Sequence, residues 1–260
     1  MKPYLKGICF IVAMLLSRQD WAVSHDAFDS SKTNWALSEQ VGAVSVYTGT
    51  FPKSNIKAFR AQATIDLPLA QILAAMAEPG SGAKWLDGCL SAKNLGGQTL
   101  GNRITYTLND LPWPFSNRDI VARVITTNPN GPDEIIINVT NASDIIYQES
   151  NHAVRIQSLN AVYRLRALSP TRTEFLWSQH TEPAGYLPDW LINAKLIDIP
   201  SLSIPNLVAL ASNERYAGAQ LIFDSNMQFD DIVLASGLQM SSLFPKLTKH
   251  ASHSPSTSEK

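Results

Sequence analysis

Leu111-Pro112-Trp113-Pro114-Phe115-Ser116-Asn117-Arg118-Asp119 is the stretch around which the rest of the chain arranges itself. Each proline biases the residue before it toward extended geometry, so Leu111 and Trp113 are held out of helix. Neither proline has an N–H for a sheet ladder, which makes the stretch a stiff connector or a sheet edge. Ile120-Val121-Ala122-Arg123-Val124-Ile125 follows directly, and its β-branched content marks a strand. A rigid aromatic corner therefore feeds a strand, with Arg118 and Asp119 at the strand's mouth. Adjacent strand side chains point to opposite faces, so these two charges are not expected to pair with each other. By the same alternation Ile120, Ala122 and Val124 share one face, and Asp119, Val121 and Arg123 the other.

Upstream of the corner, residues 43–50 and 56–65 alternate as strands around the turn-forming Phe51-Pro52-Lys53-Ser54-Asn55. Residues 35–40 read as a short helix. Pro68 suits the first position of a helix with Leu69, Ile72, Leu73 and Met76 on one face. Residues 90–95 and 103–108 form a strand pair, with Gly96-Gly97 and Gly101 about its turn. Downstream, residues 128–133 have strong turn chemistry, and residues 135–139, 153–159, 162–168 and 173–180 complete a set of about nine strands. Short connections make them antiparallel. Residues 187–213 hold the one long helical pattern, interrupted by Pro200 and Pro205. On it Trp190, Leu191, Ala194 and Ile197 share a face, as do Ile204, Leu207, Val208 and Ala211. The economical way to bury one sheet face is an α+β fold, a curved antiparallel sheet wrapped around that last helix.

Two stretches carry a family resemblance. Trp113-Pro114, a short spacer and Arg118-Asp119 ahead of an apolar strand resemble the START lipid-transfer domain. Glu182-Pro183-Ala184-Gly185-Tyr186-Leu187-Pro188-Asp189-Trp190-Leu191-Ile192-Asn193 resembles the family's passage from last strand into C-terminal helix. Asn34-Trp35, followed by Gly42, Val44, Val46 and Tyr47, is a third match, so the resemblance runs from Trp35 to Asn213. It implies the helix-grip fold, with an internal apolar cavity between sheet and helix that holds a lipid. It also implies that Ile120, Ala122 and Val124 face that cavity. With Trp190, Leu191, Ala194 and Ile197 on the helix, these are the candidate ligand-binding residues. Some sterol-binding members carry an acid and an arginine looking inward. The matching positions here are Thr105 and Val124, both uncharged, which leaves the ligand open. Arg155 resembles the family's Val-Arg strand.

The chain of 260 residues is 45% hydrophobic and 17% charged, enough apolar content for a sizeable core. A formal net charge of −1 argues against nucleic acid, which demands a basic face. Lys2 and Lys6, the apolar run from Gly7 to Leu16, and Ala22-Val23-Ser24 read as a signal peptide over residues 1–24. The mature chain is then expected to begin at His25, exported to the periplasm or the extracellular space. The apolar run is shorter than the ~20 residues a spanning helix needs, and the rival reading is an uncleaved N-terminal anchor. Residues 25–215 are expected to form the lipid-binding domain. Residues 216–260 form a C-terminal extension, packed at first and disordered from Thr248 onward. With Cys9 in the leader, Cys89 stands alone and no intramolecular disulfide is expected.

No G-x-S-x-G elbow, H-E-x-x-H pair or Cys/His cluster occurs in the sequence, so neither catalytic residues nor a metal or other cofactor are expected. Trp113 reads as a core or edge aromatic, or else as a ligand contact. Arg118 reads as a tie to nearby carbonyls or a carboxylate, or else as a head-group donor. His180 ends a strand near the sheet-to-helix turn, where it either packs or faces the cavity mouth. The expected function is binding of a lipid or other hydrophobic small molecule, for transfer or sensing, with transient membrane contact. Each buried CH₂ is worth ~0.8 kcal/mol against water, so an acyl chain needs such a carrier to cross it. The alternative is a cyclase or aromatase of the same superfamily. Ligand entry is expected where the 128–133 loop parts from the first turn of the last helix.

Overall fold

The chain is described from a computed structural model over residues 33–51, 54–149 and 152–245. The expected signal peptide and the tail from Thr248 lie outside these residues. In chain order the elements are β1 (Trp35–Val41), β2 (Val44–Thr50), β3 (Lys57–Ile65), α1 (Leu69–Ala77) and α2 (Gly82–Trp85). Then come β4 (Cys89–Thr99), β5 (Asn102–Asn109), β6 (Arg118–Thr127), β7 (Glu134–Asn141) and β8 (Val154–Arg155). The chain continues with β9 (Ser158–Ser169), β10 (Arg172–Glu182), α3 (Asp189–Ala211), β11 (Gln220–Phe223) and β12 (Phe229–Val233).

One sheet runs in the order β1-β2-β3-β10-β9-β7-β6-β5-β4, every neighbour antiparallel. The two-residue β8 lies parallel to β6 and takes up the pairing edge that β7 leaves free near the corner. Period-two alternation buries Phe59, Ala61, Ala63 and Ile65 from β3, and Leu159, Ala161, Tyr163 and Leu165 from β9. These inward residues and α3 form a single core, so the chain has the α+β helix-grip architecture. The second half of α3 contributes Ile204, Leu207 and Ala211 to it, as the periodicity predicted. Gln71 Nε2 of α1 donates to the last carbonyl of α3, Ala211 O, at 2.7 Å. Pro200 and Pro205 lie within the continuous run of α3.

Four local expectations are corrected. Residues 35–40 are strand, not helix, because Gly42 turns at φ 57° and folds them back so that Val41 pairs with Val44 and Trp35 with Gly49. Cross-strand pairing there overrides local preference. Gly96-Gly97 is not a turn. β4 runs on to Thr99 through bulges on either side of the glycine pair, and a Cβ on Gly97 would lie 2.8 Å from Arg103 Cα. The expected strand at 153–159 is divided into β8 and the start of β9. At the break Asn141 Nδ2 donates to Ile156 O at 2.8 Å, and Asn141 Oδ1 accepts from Leu159 N–H. Finally, the 128–133 loop does not lie beside the first turn of α3. It leaves the end of β6 opposite Arg118, roughly 30 Å along the strand. There Asn128 donates to Met227 O at 2.9 Å and accepts from Phe229 N–H at 2.7 Å.

Residues past α3 pack. Tyr216, Ile232, Leu234 and Met240 are buried in the same core as α1, and the Tyr216 hydroxyl donates to Glu78.

Candidate functional site

A cavity of about 310 Å³ lies between the sheet and the helices. Its aromatic wall comes from four separate elements. Tyr163 and Trp177 stack at 5.0 Å, Phe59 meets Trp177 edge-on at 5.0 Å, and Trp85 stands edge-on to Trp177 at 6.0 Å. Such pairs add to the area they bury. Burial pushes the Tyr163 phenol well above its ordinary range, so it remains a neutral hydroxyl. Ile120, Ala122 and Val124, which share a face by alternation, line the cavity from β6, the side that the family resemblance implies for them. Val121 points the other way, into a second small cluster with Ile104, Tyr106 and Ala142. Thr105 lines the cavity too, as the family match places it.

The helix face is corrected. Leu191 lines the cavity, but Trp190, Ala194 and Ile197 do not. Trp190 is 67% exposed, and α3 instead turns Ile192, Lys195, Leu196 and Ile199 inward with Leu191. Lys195 is the reason the pattern misleads. Its apolar stem follows the wall while Nζ meets Asp87 Oδ2 at 3.6 Å, so a charged residue occupies the inward stripe. Phe59, Trp85, Tyr163 and Trp177 were not among the sequence candidates. The alternation Leu159-Ala161-Tyr163 and Phe175-Trp177 holds the signal for two of them.

Arg118 is buried and ties two distant segments. Nε donates to Pro183 O at 3.0 Å, Nη2 to Ala184 O at 2.9 Å, and Nη1 to Ser116 O. The sheet-to-helix turn is thereby clamped to the Trp-Pro corner, and burial lowers the guanidinium's pKa. Asp119 faces away from Arg118, as alternation requires. It accepts from Arg155 Nε at 2.8 Å and Nη2 at 2.9 Å, the residue opposite it on β8.

Trp113 is not a core residue: it is 92% exposed at the corner beside β6 and does not line the cavity. Tyr186, on the turn that Arg118 clamps to the corner, is 87% exposed. One end of the molecule therefore presents Trp113, Tyr186 and Trp190 on clamped or adjoining segments. His180 does not face the cavity mouth. Its neighbours Gln179 and Thr181 line the cavity, whereas the His180 ring is buried on the opposite face, stacked on Phe51 at 3.8 Å. Its Nε2 lies 3.2 Å from Ser54 Oγ. Desolvation lowers its pKa, against the opposing pull of Glu182.

A sheet that grips a long helix around an apolar cavity is the helix-grip class of fold. The START domain family profile matches residues 21–197, and the chain belongs to that family. An uncharacterised protein of Pseudomonas aeruginosa is 29% identical over 178 residues, covering 68% of this chain and 87% of its own. Among solved structures, a STAR-related lipid transfer protein fragment from Xanthomonas axonopodis superposes with a TM-score of 0.61 at 20% identity. That match covers 69% of this chain and 99% of the fragment. Human StAR-related lipid transfer protein 5 gives 0.61 at 19% identity, over 68% of this chain and 86% of that one. At these identities the two structures establish the common fold.

Proposed function

We propose that this protein binds a lipid or similar hydrophobic small molecule in the cavity and carries it between membranes without chemical turnover. The observation that carries this reading is the largely apolar wall of Phe59, Trp85, Ile120, Ala122, Tyr163 and Trp177, gathered from α2 and four strands. Such a wall accepts an acyl chain or a ring system from a bilayer at little net cost, apolar to apolar. Of the charged groups along the wall, Lys195 meets Asp87, Lys93 meets Glu149, and Arg118 is held by three carbonyls. Membrane contact is assigned to the end carrying Trp113, Tyr186 and Trp190, whose amphipathic rings suit the head-group layer. The site of action in this reading is the periplasm or the extracellular space, reached with the signal peptide of residues 1–24.

Mass spectrometry of gently extracted native protein tests binding, and transfer of labelled lipid between vesicles tests carriage. Lipid is expected to co-purify. Trp113→Ala with Trp190→Ala should slow transfer several-fold at unchanged binding. An empty protein that takes up no added lipid would overturn the reading, and turnover of an added polyketide would replace it with catalysis. Cell fractionation with N-terminal sequencing of the exported chain tests the location.

A further inference from the structure

The cavity has one polar wall. On β5 the inward positions are Arg103, Thr105, Thr107 and Asn109, and Asn94 joins them from β4. Asn94 pairs with Thr105, so Arg103 is its diagonal neighbour on the same face, within reach of long side chains. Arg103 is only 8% exposed. Among the described residues its guanidinium makes a single hydrogen bond, Nη1 to Leu100 O at 2.6 Å, and no ion pair. Five donors in a planar fork are thus served by one carbonyl. The Asn94 amide is oriented by its own contacts: Oδ1 accepts from Gly96 N–H at 2.9 Å, which leaves Nδ2 as the free end. That Nδ2 is buried and has no hydrogen-bond partner, as is Trp85 Nε1 on the same cavity.

Carboxylates at the cavity do not answer these donors. Among the described residues Glu78 is held by Tyr216 and Arg215 and Asp87 by Lys195, while Asp110, which also lines the cavity, makes no ion pair with Arg103. Desolvation alone, with no carboxylate to oppose it, pushes the Arg103 guanidinium down to about 10, which still leaves it a cation at neutral pH. A buried charge normally comes with a partner, since an unpaired one is costly. Here two buried donor groups lie along the wall with no carboxylate paired to them among the described residues.

We propose that Arg103 and Asn94 form an anion-binding subsite, and that the ligand is a single-chain amphiphile bearing one carboxylate or phosphate. This rests on the reading of the cavity as a lipid site and names the class of lipid. A volume of about 310 Å³ is at the small end of ligand pockets, which span ~300–1,000 Å³, and suits one chain better than two. Arg103 presents the planar fork that carboxylate and phosphate oxygens take up in pairs, and Asn94 adds a neutral donor from the side.

Equilibrium binding of the full chain to oleate, oleyl alcohol and oleoyl lysophosphatidic acid tests this. The wild type should bind oleate or the lysophosphatidic acid at least about tenfold tighter than the alcohol, the scale of a charge-assisted hydrogen bond. Preference for oleate assigns a carboxylate, and preference for the lysophosphatidic acid alone assigns a phosphate. Arg103→Met should erase the preference by bringing the charged probes down to the affinity of the alcohol. Asn94→Leu keeps the charge and should reduce the preference in part, which covers the case in which Arg103→Met does not fold. Equal binding of charged and neutral probes by the wild type overturns the subsite while leaving the lipid cavity standing. So does a preference that survives in a folded Arg103→Met or, if that variant does not fold, undiminished in Asn94→Leu. Binding of none of the three probes overturns the lipid reading itself.

Discussion

Arg118 Nε lies 3.0 Å from the carbonyl oxygen of Pro183, so a side chain at the start of β6 holds the turn that launches α3. Arg118→Ala leaves the Ser116, Pro183 and Ala184 carbonyls without this donor. Unsatisfied buried groups cost ~1–3 kcal/mol each, and part of that is recovered by water at the corner. The melting temperature is expected to fall by about 5 °C. Ligand preference should be unchanged. A normal melting temperature with an altered preference would make Arg118 a ligand contact instead.

Ala122→Trp should block ligand uptake with a modest effect on folding, because the new ring enters cavity space from the β6 wall. Val121→Trp crowds the closed cluster with Ile104 and Tyr106, so it should lower stability and spare binding. Binding and melting measured on both variants check the pair. The opposite pattern would mean that the two faces of β6 are reversed.

Arg155→Ala strands Asp119, which is 2% exposed, without its guanidinium. The loss expected is about 2–3 kcal/mol, below the ~3–5 of a wholly buried pair because Arg155 is partly solvated. Urea unfolding measures it. Asp119→Asn combined with Arg155→Met should recover most of the loss, and a double variant as unstable as Arg155→Ala would assign the cost to something other than stranded charge.

His180 gives the fold a pH dependence with a definite sign. Desolvation lowers its folded-state pKa below the ordinary 6.5, so the unfolded chain binds the extra proton first. Stability is therefore full above 6.5 and declines as pH falls from there toward the folded-state value. His180→Gln should flatten the stability profile as pH falls below about 6.5. An unchanged slope in that window would show that another group sets it.

Much of this architecture is legible in the chain because strand alternation is strict where one face is buried. Alternation alone puts Ile120, Ala122 and Val124 on one face of β6 and turns Asp119 away from Arg118, while the family resemblance supplies which face meets the cavity. The helix was harder. Lys195 sits on the inward stripe of α3, and only its contact with Asp87, a residue far off in sequence, explains why a charge is tolerated there. Trp113 could not be placed either. Nothing local distinguishes an aromatic that packs from one that a clamped corner holds out in solvent. The aromatic wall is legible only in halves, since Trp85 and Trp177 meet through tertiary packing and not through any motif.

The pairing of β3 with β10 has a temporal consequence. Arg60 and Ser178, neighbours across that seam, are 118 residues apart in the chain. The first three strands cannot find their place until nearly all the rest of the sheet has been made. Loop-closure entropy must be met before that seam returns any contact energy, so formation of the native state should be slow compared with that of a helical bundle of equal length. The β1–β3 meander meanwhile waits with the β3 edge open, and a crowded refolding mixture would find that edge before β10 does.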